Sequence, residues 1–242
     1  MLFIVVLICL AVQWFLQFGS AGYQYCWEVQ YFQWMRSRCE ALTKGHALFT
    51  AILLVLPVVV IASLLFTLVY HVLGHVGYLV LSLALLWYCT DLTAFKKLPA
   101  DATSTNLFIQ SYQKLFAPLF WYFVFGPVGL VLYVSVVALR KQTSDQRYFG
   151  LFLGVLDWVP ARLFGLSFAL VGNFGAVFKE WVKTLSQGIG DNYQPIIVCG
   201  EAVISADKKN QDAQSIALAL IQRSVLAWLA VMALMTVGGW MG

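Results

Sequence analysis

The stretch APLFWYFVFGPVGLVLYVSVVAL, residues 117–139, contains 23 consecutive residues without a charged side chain. About 20 apolar residues in a helix are enough to cross the hydrocarbon core of a bilayer. Gly126 and Pro127 stand at the centre of the stretch, and neither residue favours a helix interior. The stretch therefore predicts a membrane helix that is interrupted halfway along.

The composition of the whole chain points to the same class of protein. The chain has 242 residues, of which 61% are hydrophobic and 11% are charged, whereas about a quarter of the residues in soluble domains are charged. We expect one integral membrane domain over residues 1–242, with the lipid bilayer as its partner. The net charge is +4. We interpret the lysines and arginines as residues of cytoplasmic loops that anchor the protein at the membrane, and no nucleic acid partner is expected.

Other apolar runs flank this stretch and predict an all-α, polytopic helical bundle with about five or six apolar segments. Residues 1–18 lack the basic start of a secretory signal, which favours an anchor helix. The sequence LGHVG at 73–77 predicts a tight turn that joins two segments into a helical hairpin. In the last segment, Arg223 is expected to extend to the interface. The remaining predicted segments are 48–72, 77–88, 149–171 and 216–240.

In residues 23–46, aromatic and apolar side chains recur near helical spacing, and charged side chains fill much of the rest. An amphipathic helix near 27–42 is expected, lying either at the bilayer interface or on the protein's own bundle.

The distribution of Lys and Arg leaves the topology open. Segments 19–46 and 93–116 carry three basic residues each and are expected on the cytoplasmic side. Segments 140–148 and 173–216 carry three and four. If both of these also lie inside, segment 149–171 does not cross the membrane and segment 117–139 must dip back.

No pattern in the chain predicts a metal, a cofactor or a catalytic group. The five cysteines are scattered and form no CxxC pair. His71 and His75 are four residues apart, but Gly74 weakens a helix there and no other metal-binding side chain is near.

The stretch LDWVPARLFGLSFALVGN, residues 156–173, places an acid, a proline and an arginine within six positions of an apolar run. Asp157 and Pro160 predict a helix break between Leu156 and Trp158, with Asp157 as the N-cap of the next helix. The exposed N–H groups and Arg162 would then favour an anion.

Two interrupted apolar segments in succession indicate a ligand site at membrane depth. The candidate ligand is an anion or a lipid headgroup. The alternative is purely structural, with Asp157 as a cap and Arg162 paired with a carboxylate or extended to the interface. The candidate site residues are Gly126, Pro127, Asp157, Trp158, Arg162 and Asn173.

Residues 117–133 and 156–173 resemble the AmpE family, membrane regulators linked to β-lactamase induction and related to the CobD/CbiB cobinamide-synthase membrane proteins. The APLFW start, the Gly-Pro break and the DWVPARL motif occur in the same order. The resemblance implies a multi-pass protein of the bacterial inner membrane. It also implies a sensor or signalling modulator of the cell-wall stress and antibiotic response, with a membrane or cytoplasmic signalling partner.

The synthase relatives imply a test for catalysis. They are expected to carry an acidic stretch before APLF, but STNLFIQSYQKLF at 104–116 contains no carboxylate. Phosphoryl activation needs carboxylates for magnesium, and no phosphate-binding loop motif is present. A non-catalytic regulator is therefore favoured, and the alternatives are a synthase-like amide ligase and a small transporter.

Overall fold

The computed structural model describes residues 2–16, 47–90, 103–142, 146–186, 188, 192–206 and 212–239. Every regular element in these ranges is helical, which confirms the all-α prediction. The amphipathic helix expected near 27–42 lies outside the described residues. The elements are α1 Leu2–Leu16, α2 Ala47–Cys89, α3 Ser104–Ser111, a π-helical turn Tyr112–Phe116, α4 Ala117–Gln142, α5 Gln146–Val171, α6 Phe174–Leu185, α7 Gln194–Ala206 and α8 Ala213–Val237.

By length and composition, four helical segments in this part of the chain can cross a membrane. Two shorter apolar helices, Phe3–Gln13 and Gln194–Ala206, accompany them. The protein is therefore a multi-pass membrane helical bundle. The four long segments are Leu53–Cys89, Ser104–Arg140, Phe152–Val171 and Ala213–Val237.

Helix α2 turns back on itself at Gly74, whose φ of 65° lies in the left-handed region. The rings of Phe66 and Tyr78 lie 5.6 Å apart, centre to centre, although 12 residues of straight helix would separate them by about 18 Å. The reversal confirms the hairpin predicted from LGHVG. Leu64, Leu68 and Val72 are exposed on this hairpin, as expected of side chains that face lipid.

A second reversal occurs at Gly126, where φ is 66°. Gln113 and Arg140 both hydrogen bond to the hydroxyl of Tyr193, at 2.8 and 3.3 Å. They are 27 residues apart, and a straight helix would separate them by about 40 Å. The predicted interruption is therefore confirmed, and the chain folds back at Gly126.

Aromatic rings fill the core between α3, the π-helical turn, α5 and α8. Phe116 packs against Phe164 at 4.5 Å and against Trp228 at 5.1 Å. Phe108 packs against Phe168 at 5.3 Å. These contacts hold α5 in the interior of the bundle, where its polar side chains meet residues from other segments.

Gly74→Ala is expected to lower the free energy of unfolding by about 1–2 kcal/mol, because an alanine is strained at a left-handed φ. No atom lies within 4 Å of the added Cβ, so the loss reports backbone strain alone. The measurement is unfolding of the detergent-solubilised protein with sodium dodecyl sulfate.

Gly150→Ala is the matched control, since its added Cβ also has no neighbour within 4 Å and the site lies in regular helix. There alanine is expected to be neutral or to stabilise by up to about 1 kcal/mol. Equal effects of the two substitutions would contradict a strained reversal at Gly74.

Candidate functional site

Asp157 lies inside α5, within the apolar segment Phe152–Val171. Only 1% of the residue is exposed. A carboxylate in such a place is costly unless hydrogen-bond donors surround it. Asp157 therefore requires hydrogen-bond donors from neighbouring residues.

Phenol hydroxyls supply those donors. Tyr112 donates to Oδ1 of Asp157 at 2.7 Å, and Tyr193 donates to Oδ2 at 3.5 Å. The buried Tyr133 interacts with the same carboxylate. Each carboxylate oxygen of Asp157 thus accepts a hydrogen bond from the hydroxyl of a tyrosine.

The hydroxyl of Tyr193 connects Asp157 to two further side chains. It accepts hydrogen bonds from Gln113 and Arg140 while it donates to the carboxylate, which uses all three hydrogen-bonding positions of a hydroxyl. Burial raises the pKa of Tyr193, and the negative charge of Asp157 raises it further. The phenol consequently stays protonated and keeps its role as a donor.

We call this group the Asp157 cluster. It joins residues that are distant in sequence, since Tyr112 opens the π-helical turn and Arg140 lies near the end of α4. A π-helical turn is a rare element that often occurs at functional sites. The members of the cluster are Tyr112, Gln113, Tyr133, Arg140, Asp157 and Tyr193.

The prediction of a helix break before Trp158 is wrong, because α5 is continuous from Gln146 to Val171. Pro160 removes one N–H from the helix but has a φ compatible with it, and membrane helices tolerate such a loss. Asp157 is not an N-cap, since its carboxylate accepts from Tyr112 and Tyr193.

Arg162 lies on another side of α5 and contacts α6. Its guanidinium donates to the carbonyl oxygens of Trp158 and Thr184, at 3.1 and 3.2 Å. Thr184 is in the last turn of α6, where carbonyls lack helical donors and a cation is favourable. Trp181 donates back to the carbonyl of Arg162 at 2.8 Å, so Arg162 ties α5 to α6.

The six residues predicted from sequence do not form one site. Asp157 and Arg162 are 140° apart around a helix, and they contact different neighbours. Trp158 packs against Arg162, whose guanidinium lies 4.2 Å from the centre of the Trp158 ring.

The other three predicted residues lie elsewhere in the bundle. Gly126 and Pro127 are buried at the second reversal, about 20 Å along the helical chain from Tyr112. Asn173 is exposed and caps the N-terminus of α6.

Sequence reasoning missed the tyrosines around Asp157. Tyr112, Gln113 and Tyr193 lie in segments 93–116 and 173–216, outside the predicted apolar segments. The sequence offers one indication of these partners, the acid Asp157 within an apolar run. Such an acid is buried, and a buried acid requires hydrogen-bond donors from elsewhere in the chain.

The comparisons with known proteins match the region that contains this cluster. The family model described as "Regulatory signalling modulator protein AmpE" matches residues 89–241. The chain belongs to the AmpE family. Every residue of the Asp157 cluster falls within the matched AmpE region.

Curated relatives agree with this assignment. The chain is 28% identical over 142 residues to Protein AmpE of Shigella flexneri, covering 53% of this chain and 50% of that protein. It is also 28% identical over 113 residues to the Cobalamin biosynthesis protein CobD of Chromobacterium violaceum, covering 43% and 36%. The chain thus matches half the length of the AmpE relative and 36% of the length of the CobD relative, and no solved structure matches it.

Tyr112→Phe is expected to lower the free energy of unfolding by about 1.5–3 kcal/mol, because it removes a hydrogen bond to a buried charged group. Tyr70→Phe is the control, since Tyr70 is exposed. Among the described residues, its hydroxyl lies within hydrogen-bonding distance only of the exposed His75, at 3.4 Å. Both are compared by unfolding in detergent. A loss for Tyr112→Phe no larger than for Tyr70→Phe would contradict the role of the Tyr112–Asp157 bond.

Proposed function

We propose that this chain is a non-catalytic signalling modulator of the bacterial inner membrane that adjusts β-lactamase induction during cell-wall stress. The observation that supports this most directly is the AmpE family match over residues 89–241. The similarity to Protein AmpE of Shigella flexneri and the multi-pass helical architecture are consistent with it.

We further propose that the Asp157 cluster is the part of the bundle that changes state during signalling. It holds together the π-helical turn, the end of α4, the middle of α5 and the start of α7 through a few polar bonds. In apolar surroundings each bond is strong when it forms, and a polar group that loses its partner is costly. Such a junction favours discrete arrangements over gradual movement.

A change at the Asp157 cluster would be transmitted to a protein partner in the membrane or the cytoplasm. Arg140 is the cationic member of the cluster and lies two residues before the end of α4. A movement there would alter the end of the second hairpin, where the chain leaves the apolar segment Ser104–Arg140.

Deleting the gene is expected to change the ratio of induced to basal β-lactamase activity in a host that carries an inducible β-lactamase. The measurement is hydrolysis of a chromogenic β-lactam before and after exposure to an inducer, with the gene restored on a plasmid as the control. An unchanged ratio in the deletion strain would exclude the proposed role in induction.

Asp157→Asn is expected to alter induction per molecule of membrane protein while leaving abundance near normal. The amide oxygen still accepts from Tyr112, but the negative charge is lost. Arg162→Ala is the contrasting variant, because it removes the guanidinium bond from α5 to Thr184 of α6. It is expected to lower abundance and leave induction per molecule unchanged.

Both variants are scored as induction divided by the amount of protein in the membrane on immunoblots. Normal induction per molecule for Asp157→Asn would remove the Asp157 cluster from the mechanism.

The similarity to the CobD relative supports a second candidate, a membrane-embedded amide ligase of the synthase type. The carboxylate-free sequence of residues 104–116 favours the regulator instead. Purified protein that joins aminopropanol to cobyric acid would reverse this preference, and unimpaired cobamide synthesis in the deletion strain would support the regulator.

A further inference from the structure

A cavity of about 530 Å³ lies where the ends of α5 and α7 meet the first half of α8. It is separate from the Asp157 cluster, because Asn173 is 16 residues beyond Asp157, about 24 Å along a helix. Its lining includes Gly172, Asn173, Val203, Ile216, Leu220 and Arg223.

Arg223 gives this cavity a positive charge. It is exposed, lies ten residues into α8 and is the only charged residue of this 25-residue helix. An arginine in such a segment is stable only where its guanidinium reaches water or an anion. The cavity provides that space.

An apolar strip begins at Arg223 and follows the outer face of α8. Leu226, Ala230, Leu234 and Val237 are exposed at spacings that keep them on one side of a helix. From Arg223 to Val237 the strip covers about 21 Å, whereas one leaflet contributes about 15 Å of hydrocarbon. Arg223 therefore stands at one end of a strip that is long enough for a leaflet.

Helix α6 marks the membrane surface at the same place, because it begins directly after Asn173. Phe174, Phe178, Val182 and Leu185 are all exposed and share one side of the helix, and Lys179 and Lys183 occupy the opposite side. This is the pattern of a helix that lies in the interface with its apolar side toward the acyl chains. The mouth of the cavity is consequently at headgroup level.

We propose that the cavity binds a phospholipid, with its phosphate at Arg223 and an acyl chain along the apolar strip of α8. The last turns of α5 and α7 also line the cavity, and their carbonyl ends carry partial negative charge. The lining thus combines the positive charge of Arg223 with the partial negative charge of the carbonyl ends. A zwitterionic headgroup, whose phosphodiester carries one negative charge beside an ammonium group, fits this combination better than a free phosphate dianion does. The ligand class is thus a zwitterionic phospholipid such as phosphatidylethanolamine.

The test is native mass spectrometry of the purified full chain in detergent, titrated with palmitoyl-oleoyl phosphatidylethanolamine. Arg223→Gln is expected to weaken lipid binding roughly tenfold, because a hydrogen bond between charged partners is lost. Lys179→Gln removes the same charge from α6 outside the cavity lining and is expected to bind like the wild type. Equal losses for the two variants would overturn the proposal.

A second variant and a competitor complete the experiment. Ala219→Phe narrows the cavity without changing the charge, and it is expected to reduce lipid binding even if Arg223→Gln fails to fold. Glycerophosphoethanolamine and inorganic phosphate lack acyl chains, so neither should displace the lipid at an equal concentration. Displacement by either, or full lipid binding by Ala219→Phe, would overturn the assignment of a phospholipid site.

Discussion

The hydrogen bond from Tyr112 to Asp157, 2.7 Å long, is the interaction on which the centre of the bundle depends. A carboxylate with 1% exposure requires donors, and an apolar helix cannot supply them from its own side chains. The fold therefore brings in phenols from two other segments. Because Tyr112 opens the π-helical turn and Tyr193 directly precedes α7, the requirement of one acid for hydrogen bonds fixes the relative positions of several elements.

The two glycine reversals make this convergence geometrically feasible. Gly74 and Gly126 have nearly the same backbone angles, φ 65° with ψ −155° and φ 66° with ψ −156°. Without the second reversal, Gln113 and Arg140 would stand on opposite sides of a bilayer instead of at one hydroxyl. The polar site thus depends on a backbone feature that lies about 20 Å away along the chain.

Local sequence rules predicted the apolar segments, the hairpin at LGHVG and the interruption at Gly126, because each of these depends on residues near in sequence. They were wrong at Asp157, where a cap–proline pattern was overridden by partners 45 and 36 residues away. They also missed α6 and α7 inside a segment that reads as polar. The partners of a buried acid are set by tertiary packing, which periodicity and capping rules do not contain.

The reversals also affect how the chain passes between the two membrane faces. A segment that folds back returns its end to the face where it began, so α2 and the Ser104–Gln142 hairpin each start and finish on the same side. Gln13 near the end of α1 hydrogen bonds to Thr90 after α2, which places the end of α1 there too. Each hairpin thus contributes an even number of crossings and leaves the chain on the face from which it entered, so the number of apolar segments does not by itself decide the side on which a following basic segment lies.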